Sequence, residues 1–165
     1  MGTIYREDEQ PFRILSGMTK TAFPEKRHLP RGVDHEDVAL GELVGLRPSA
    51  GQSLTLEKVT AGNAVDQAAN VAMRIDNTRY DTLESGAITV VDGLFIVETE
   101  LYDASGSYEL GDFVTAGYDS GIDGGVFAPT DGSTTHAIGQ VQTAPQDASA
   151  NTPMRIKVFP APHTV

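Results

Sequence analysis

The sequence predicts a mostly β protein, a small β-barrel or β-tulip-like domain with one short helix and an extended N-terminal arm. Three observations support this fold class. Gly and Pro supply 17 and 9 of the 165 residues, and such frequent turn-forming residues favour many short strands over long helices. Hydrophobic residues make up 39% of the chain, which is enough for one globular core. Several short segments also alternate apolar and polar residues, as half-buried strands do.

Residues 1–35 are predicted to form the arm, and residues 36–165 a single β-rich domain. The arm has three prolines and scattered hydrophobic residues without helical or strand periodicity. Such a segment buries too little surface to fold alone, but it can become ordered in a partner's groove. A solvated tail that touches nothing is the alternative, and the aromatic content disfavours it. The predicted interface residues of the arm are Tyr5, Phe12, Ile14, Leu15, Phe23 and Arg27.

The first half of the domain is predicted to contain two strand regions and the helix. Residues 38–46 indicate a strand pair, or one strand with a bulge at Gly41. Residues 54–59 alternate apolar and polar side chains, which predicts a half-buried strand. Residues 63–73 are rich in Ala and place apolar residues roughly on one face, and Asn63 is a suitable N-cap. We therefore expect a short helix there.

The second half begins with a predicted hairpin. Residues 87–91 and 94–99 are β-branched and apolar runs that flank Asp92 and Gly93. Asp-Gly is a preferred two-residue hairpin turn because Gly accepts a positive φ without steric cost. Very short strands are predicted at 110–114, 125–128 and 137–141, with Gly-rich and Asp-rich loops between them. A final strand is predicted at 154–159, where the alternation resumes before two prolines end it.

One short segment occurs twice. Residues 40–44 (LGELV) and 110–114 (LGDFV) share the form Leu-Gly-acid-apolar-Val. The similarity indicates either a duplicated strand motif or coincidence, and five positions are too few to choose between them.

The charge excludes some classes of partner. The formal net charge is −11, so a nucleic-acid backbone would be repelled. Residues 1–31 differ from the rest because they carry six basic and four acidic residues, which suits an arm that docks on an acidic surface. Cysteine is absent, so disulfides, thiolate metal sites and Cys nucleophiles are excluded. The sequence contains neither a membrane-length apolar run nor a signal-peptide core, so we expect synthesis in the cytoplasm and no membrane partner.

Candidate catalytic and metal sites are weak. Residues 119–124 resemble part of a calcium loop, but the third-position acid and the bidentate Glu are missing, so a solvated turn is expected. The four His residues are far apart in sequence. Glu98 and Glu100 lie on the same side of one predicted strand, which spacing alone leaves open as a carboxylate pair. No Gly-x-Ser-x-Gly nucleophile motif is present. We therefore expect no enzymatic activity and no cofactor.

The aromatic residues are better candidates for function. One small core does not need all of them, so those in the arm and the Gly-rich loops are expected to be interface anchors. For Tyr102 and Tyr108, packing beneath the loops is an equal alternative. The aromatic residues considered are Phe12, Phe23, Tyr80, Tyr102, Tyr108 and Tyr118.

Three strands within residues 108–141 resemble those of the capsid decoration proteins of tailed bacteriophages, also called cement or head-stabilising proteins. Such proteins carry a Gly-Asp-apolar-Val strand, a Gly-rich turn into Gly-Val-apolar-Ala, and an Ala-Ile-Gly-x-Val strand. The matching residues are Gly111, Asp112, Phe113, Val114; Gly125, Val126, Phe127, Ala128; and Ala137, Ile138, Gly139, Gln140, Val141. The match covers about a fifth of the chain.

The resemblance implies a virion structural protein on the outer capsid surface. It would bind as a homotrimer or homodimer and bridge neighbouring subunits of the major capsid protein, with the arm lying along the shell or exchanging with an adjacent copy. It implies no catalytic residue. The alternatives are a phage tail or fibre subunit, which often needs long repetitive stretches, and a small carbohydrate-binding β-module, which predicts a flat row of exposed aromatic residues.

Overall fold

A computed structural model describes residues 12–15, 25–29, 38–48, 54–59, 61, 70–74, 88–132, 134 and 136–165. These residues form eleven β-strands and a 3-10 helix at Ala148–Ala150. No helix in these ranges is long and apolar enough to span a membrane. The strands are β1 (Phe12–Ile14), β2 (Glu25–Leu29), β3 (Leu43–Pro48), β4 (Leu54–Lys58), β5 (Asn70–Arg74), β6 (Ile88–Asp92), β7 (Phe95–Thr99), β8 (Phe113–Asp119), β9 (Gly124–Pro129), β10 (His136–Thr143) and β11 (Met154–Thr164).

All these strands belong to one antiparallel sheet. The order is β1-β7-β11-β10-β8-β9-β3-β5-β6-β2, and β4 pairs with β3 beside this path. Seven of the strands curl into a half-barrel. The predicted fold class, mostly β and barrel-like, is confirmed.

The predicted hairpin between β6 and β7 is wrong, although both strands exist. In the described sheet β6 pairs with β5 and β2, whereas β7 pairs with β11 and β1. Each strand is second from an opposite end of the sheet, yet only Gly93 and Leu94 separate them. Three Cα–Cα steps of 3.8 Å span at most about 11 Å. The short link therefore brings the two ends of the sheet together, and it acts as a corner instead of a hairpin turn.

Side chains alternate between the two faces of the sheet, and one of these faces is buried. In β7, Phe95, Val97 and Thr99 are buried while Ile96 and Glu98 are partly exposed. The first six residues of β11 follow the same rule. The inward residues of β1, β3 and β5 to β11 form one hydrophobic core, and β5 approaches β11 across it. The period-two pattern of these strands thus decides which side chains remain available to a partner.

The two similar segments found in the sequence start equivalent four-strand units. In the first unit the spatial order is β4-β3-β5-β6, and in the second it is β9-β8-β10-β11. Each unit thus places its first strand between its second and third, with the fourth outside. The units join where Leu43 of β3 pairs with Gly125 of β9.

Each unit opens with the same turn. The N–H of Glu42 donates to the carbonyl of Ala39 at 3.2 Å, and the N–H of Asp112 donates to that of Glu109 at 3.1 Å. The acidic side chain of each turn makes a second hydrogen bond. The Glu42 carboxylate accepts the N–H of Ala39, and the Asp112 carboxylate accepts the N–H of Glu109, both at 2.7 Å. Gly41 and Gly111 have φ values of 83° and 94°, which explains why glycine occupies this position. The shared turn and the shared strand order favour a duplicated motif over coincidence.

The helix prediction for residues 63–73 is wrong at its C-terminal end. Asn70–Arg74 is strand β5, paired with β3 and β6. Met73 is fully buried in the core. Tertiary pairing therefore outweighs the helical propensity of the Ala-rich segment. Residues 63–69 lie outside the described residues.

The prediction of an N-terminal arm separate from the body is wrong for two pieces of it. Phe12–Ile14 pairs with Val97–Thr99 of β7, and Glu25–Leu29 pairs with Ile88–Asp92 of β6. Phe12 is only 5% exposed and belongs to the core. Phe12 therefore packs against the sheet of its own chain, whereas the sequence predicted that it would pack against an external partner. The remainder of the predicted arm, except Leu15, lies outside the described residues.

We predict that Phe12→Ala lowers the free energy of unfolding by about 3 kcal/mol, as expected for removing a buried ring. Urea unfolding of the full chain, followed by far-UV circular dichroism, measures the change. Arg13→Ala is the matched control, because it shortens the neighbouring side chain, which is exposed. We expect its effect to stay within about 1 kcal/mol. An unchanged midpoint for Phe12→Ala would show that β1 does not stabilise the body.

Candidate protein-binding surface

The residues that carry the sequence resemblance lie mainly inside the protein. Val114, Val126, Ala137, Ile138 and Val141 are all buried in the body. Among the glycines, Gly111 forms the turn before β8, and Gly125 and Gly139 permit close strand contact. A Cβ at Gly125 would lie 2.3 Å from the Leu43 carbonyl oxygen. These residues build the scaffold, so a partner must contact the side chains between them.

An aromatic cluster lies on the outer face of the sheet. It comprises Phe113 of β8 with Phe159 and His163 of β11. The Phe113 and Phe159 rings meet edge-on with centroids 6.3 Å apart, and the Phe159 ring stacks on the His163 ring at 4.1 Å. Phe113 is 40% exposed. Offset and edge contacts of this kind stabilise aromatic clusters, and this cluster remains accessible from outside.

A wide irregularity in β11 produces the cluster. Ala137 of β10 pairs with His163, whereas Gly139 pairs with Val158. Four residues of β11 (159–162) therefore lie opposite the single residue Ile138. The extra residues interrupt the regular pairing of β11 with β10, and the rings of Phe159 and His163 meet across them, as bulges commonly redirect side chains. Pro160 and Pro162 lie in this segment and donate no backbone hydrogen bonds.

The turn at Leu110 adds a second apolar element. Leu110 is 75% exposed, and the Gln140 side-chain amide donates to the neighbouring Gly111 carbonyl at 2.9 Å. The equivalent turn at Gly41 is covered, since a Cβ there would lie 2.6 Å from the Phe12 ring. A Cβ at Gly111 would meet no described atom within 4 Å. One copy of the turn is thus covered by Phe12 of β1 and by Leu101, whereas no described atom covers the other.

A ladder of charges crosses the outer face beside the cluster. Arg13, Glu98 and Arg155 lie opposite one another on β1, β7 and β11. The Glu98 carboxylate accepts hydrogen bonds from Arg13 at 2.7 Å and from Arg155 at 3.1 Å. Nε of Arg155 is buried with no hydrogen-bond partner among the described residues. Burying this unpaired group costs free energy, which offsets part of the stabilisation from the two hydrogen bonds to Glu98. Two cations around one carboxylate leave a positive excess.

The pKa of Glu98 reflects these contacts. Partial burial acts to raise it, but the hydrogen bonds and positive charges of Arg155 and Arg13 outweigh burial, so the pKa is lowered from its ordinary value. The folded protein therefore holds Glu98 ionised more strongly than the unfolded chain does.

Lys157 extends the positive charge toward the aromatic cluster. It lies on the outer face two residues before Phe159, and its β10 neighbour is Gln140, which pairs in turn with Phe113. We call Arg13, Arg155 and Lys157 the basic stripe. Residues 88–165 contain ten acidic residues but no basic residue other than Arg155 and Lys157. The positive charge of this region is therefore concentrated on a single strand.

Tyr102 and Tyr108 pack beneath loops, the second of the two alternatives drawn from the sequence. Both are buried, with their rings edge-on at 5.4 Å. The Tyr102 hydroxyl donates to the Thr152 carbonyl at 2.7 Å, and the Tyr108 hydroxyl donates to the Asp103 carbonyl at 2.9 Å. Burial is the main cause that raises the pKa of each phenol. These two residues stabilise the loops and do not present an interface.

The calcium-loop resemblance is a hairpin turn between β8 and β9. The Asp119 carboxylate accepts the Gly121 N–H at 2.6 Å, and the Asp123 carboxylate accepts the Tyr118 hydroxyl at 2.7 Å. These acids satisfy local donors, as turn residues do. Across the described ranges, no group of three or more His, Asp or Glu side chains could hold a metal ion. Glu98 is engaged by two arginines, and Glu100 is exposed.

The structure brings together few of the arm residues predicted to form an interface. Phe12 is buried, while Ile14 and Leu15 are partly buried near β7. Arg27 belongs to β2, whose backbone alone is described. Tyr5 and Phe23 lie outside the described residues, as does Tyr80.

Sequence reasoning did not select Leu110, Phe159, His163 or the basic stripe as a surface. One signal was present in the sequence. Residues 154–158 alternate inward apolar residues with Arg155 and Lys157, so Phe159 falls at the outward, polar phase. Phe113 likewise precedes the inward Val114 and must face out. The stacking of Phe159 on His163 depends on the irregular pairing of β11, which no local pattern reveals.

Comparison with known proteins finds no matching family model, no matching curated protein and no matching solved structure. The resemblance to decoration proteins therefore remains a prediction that rests on the short strand motifs.

We predict that Glu98→Gln destabilises the protein by about 1 kcal/mol at pH 7, because both arginine contacts weaken at partly exposed positions. The pKa of Glu98 is lower in the folded state, so its contribution is present at neutral pH and is lost as pH falls through the folded pKa. The wild-type and variant unfolding curves should therefore converge only at pH values below the folded pKa of Glu98. Glu100→Gln, at an exposed position, is the control. A constant difference across pH would contradict the role of the Glu98 charge.

Proposed function

We propose that this chain is a non-catalytic virion protein that binds the outer surface of a tailed-phage capsid and cements neighbouring subunits of the major capsid protein. The strand motifs of residues 108–141 supply the link to the decoration proteins. The observation that carries a binding role is the apolar outer surface formed by Leu110 and the aromatic cluster. A folded sheet that leaves such side chains uncovered has a surface suited to another protein.

The surface suits protein contact better than sugar binding. A sugar-binding row needs ring faces that are open to solvent and aligned. Here the face of Phe159 lies against the His163 ring with 26° between their planes, and Phe113 meets Phe159 at 61°. The rings therefore cover one another and form a raised apolar patch. Among the described residues, this cluster is not the flat row of exposed aromatic rings that the carbohydrate-binding alternative predicts.

Cementing follows from binding that is selective for the assembled shell. A ligand that binds only the assembled state stabilises that state by mass action. Each contact can be weak, because symmetry repeats it many times and the copies act together. We propose that the chain assembles as a dimer or trimer at these positions, made in the host cytoplasm and carried on the outer capsid surface.

We predict that particles lacking the protein release their DNA at a lower temperature than complete particles of the same phage. The missing subunit bridges would no longer oppose the pressure of packaged DNA. A dye that fluoresces on free DNA, recorded during heating, measures the release temperature, and re-addition of the purified chain should restore it. Equal release temperatures with the protein verified on the complete particles would contradict the cementing role.

We predict that Leu110→Ser weakens binding to purified capsids by more than roughly tenfold, as expected for an apolar anchor. Because Leu110 is 75% exposed, the unfolding midpoint should not change. Ile122→Ser is the control, since it also removes an apolar side chain but lies in the turn at the far end of β8. Co-sedimentation with capsids measures both. Equal binding by wild type and Leu110→Ser would remove this surface from the interface.

A further inference from the structure

We propose that the basic stripe and the apolar surface act as one site, which binds an acidic segment of the shell protein that also carries an apolar side chain. This inference rests on the proposed function and specifies the chemistry of its partner.

The charge of the chain selects an acidic partner at this face. The net charge is −11, so the chain as a whole repels an acidic protein. On the outer face of β1 and β11, however, Arg13 and Arg155 share a single carboxylate, that of Glu98, and Lys157 adds a third positive charge. An acidic segment can therefore approach the stripe with complementary charge and meets repulsion at the acidic loops, which favours one orientation.

Register places the positive charge beside the apolar surface. Lys157, Gln140 and Phe113 are neighbours on β11, β10 and β8. Adjacent strands lie about 4.8 Å apart, so Lys157 and Phe113 are separated by roughly 10 Å. Glu109 and Asp112 flank Leu110, so the acidic group of the partner must lie on the β11 side. A single extended segment of three or four residues spans this distance.

The two equivalent turns indicate what the partner presents at the other end. At Gly41 the covering groups are the aromatic ring of Phe12 from the extended strand β1 and the side chain of Leu101. The Gly111 turn has the same geometry but no described atom over it, and Leu110 is exposed beside it. The first turn thus shows, within the same molecule, that an apolar side chain fits this shape.

A second copy of the chain fits this site less well. A two-fold contact centred on the basic stripe would bring the two stripes against each other. A shell protein with an acidic, partly apolar exposed segment avoids this cost, so it is the occupant that we infer.

The test compares two substitutions that change net charge equally. Lys157→Gln removes one positive charge from the stripe, and Ser120→Glu adds one negative charge at the exposed turn beyond the far end of β8. Binding to nuclease-treated, empty shells of the phage is measured by co-sedimentation at about 0.05 M and 0.5 M salt, where screening differs strongly. We expect Lys157→Gln to weaken binding roughly fivefold at low salt and little at high salt, with Ser120→Glu close to wild type.

The outcomes separate this inference from the proposed function. If the wild-type chain does not bind shells at all, the proposed function fails. If it binds, but the two variants behave alike or salt has no effect, the function stands and the acidic partner is refuted. Sedimentation of the chain alone is the remaining check, because a change of oligomeric state in Lys157→Gln would assign the stripe to a second copy and overturn the inference. Unchanged circular dichroism and unfolding midpoints show that the variants are folded.

Discussion

The short connection between β6 and β7 constrains the whole sheet. Two residues join strands that stand near opposite ends of the strand order, so the sheet must curl until those ends approach. Curling gives the sheet an inner face, where alternating side chains from nine strands meet in one core. It also gives an outer face, on which every second residue is left for solvent or a partner. The aromatic cluster and the charge ladder both lie on that outer face.

The two four-strand units explain why only part of the outer surface is suited to binding. Both begin with a Leu-Gly-acid turn held by the same pair of hydrogen bonds. In the first unit, β1 covers the turn, and Glu42 is buried where its carboxylate accepts the Gly125 N–H at 3.4 Å. In the second unit, no described strand covers the turn. Equivalent local sequences thus acquire a structural role in one unit and an exposed position in the other.

Local sequence patterns predicted the strands better than their partners. The alternation in residues 154–159 and the β-branched runs on either side of Asp92 indicated β6, β7 and the first part of β11. The predicted end of β11 before the two prolines is wrong, because the strand continues to Thr164 and resumes pairing with β10 at His163. The hairpin failed because β6 and β7 gain more from distant strands than from each other, and pairing choice is not encoded locally. The Ala-rich segment failed for the same reason, since Asn70–Arg74 pairs with β3 and β6.

The candidate site was harder to predict than the fold. The strand motifs lie within residues 108–141, as does part of the proposed surface, yet the motif residues themselves are mostly buried. Phe12 was assigned to an interface because nothing in residues 1–35 shows which strand they join. The cluster of Phe113, Phe159 and His163 depends on four extra residues in β11, and a pairing irregularity of this kind depends on the partner strand. Sequence alone therefore predicted a protein-binding surface, but it did not select most of the exposed residues that the structure places on the outer face.

Gly139 controls how closely β10 and β11 approach each other, and so it affects the positions of the outward side chains on β11. A Cβ at this position would lie 2.8 Å from the Lys157 carbonyl oxygen and 2.9 Å from the Ile156 side chain. Any larger residue must therefore push β11 away from β10, and Lys157 and Phe159 would move with it relative to Phe113. A substitution at this buried glycine would therefore alter the geometry of the proposed site while every exposed residue of that site stays the same.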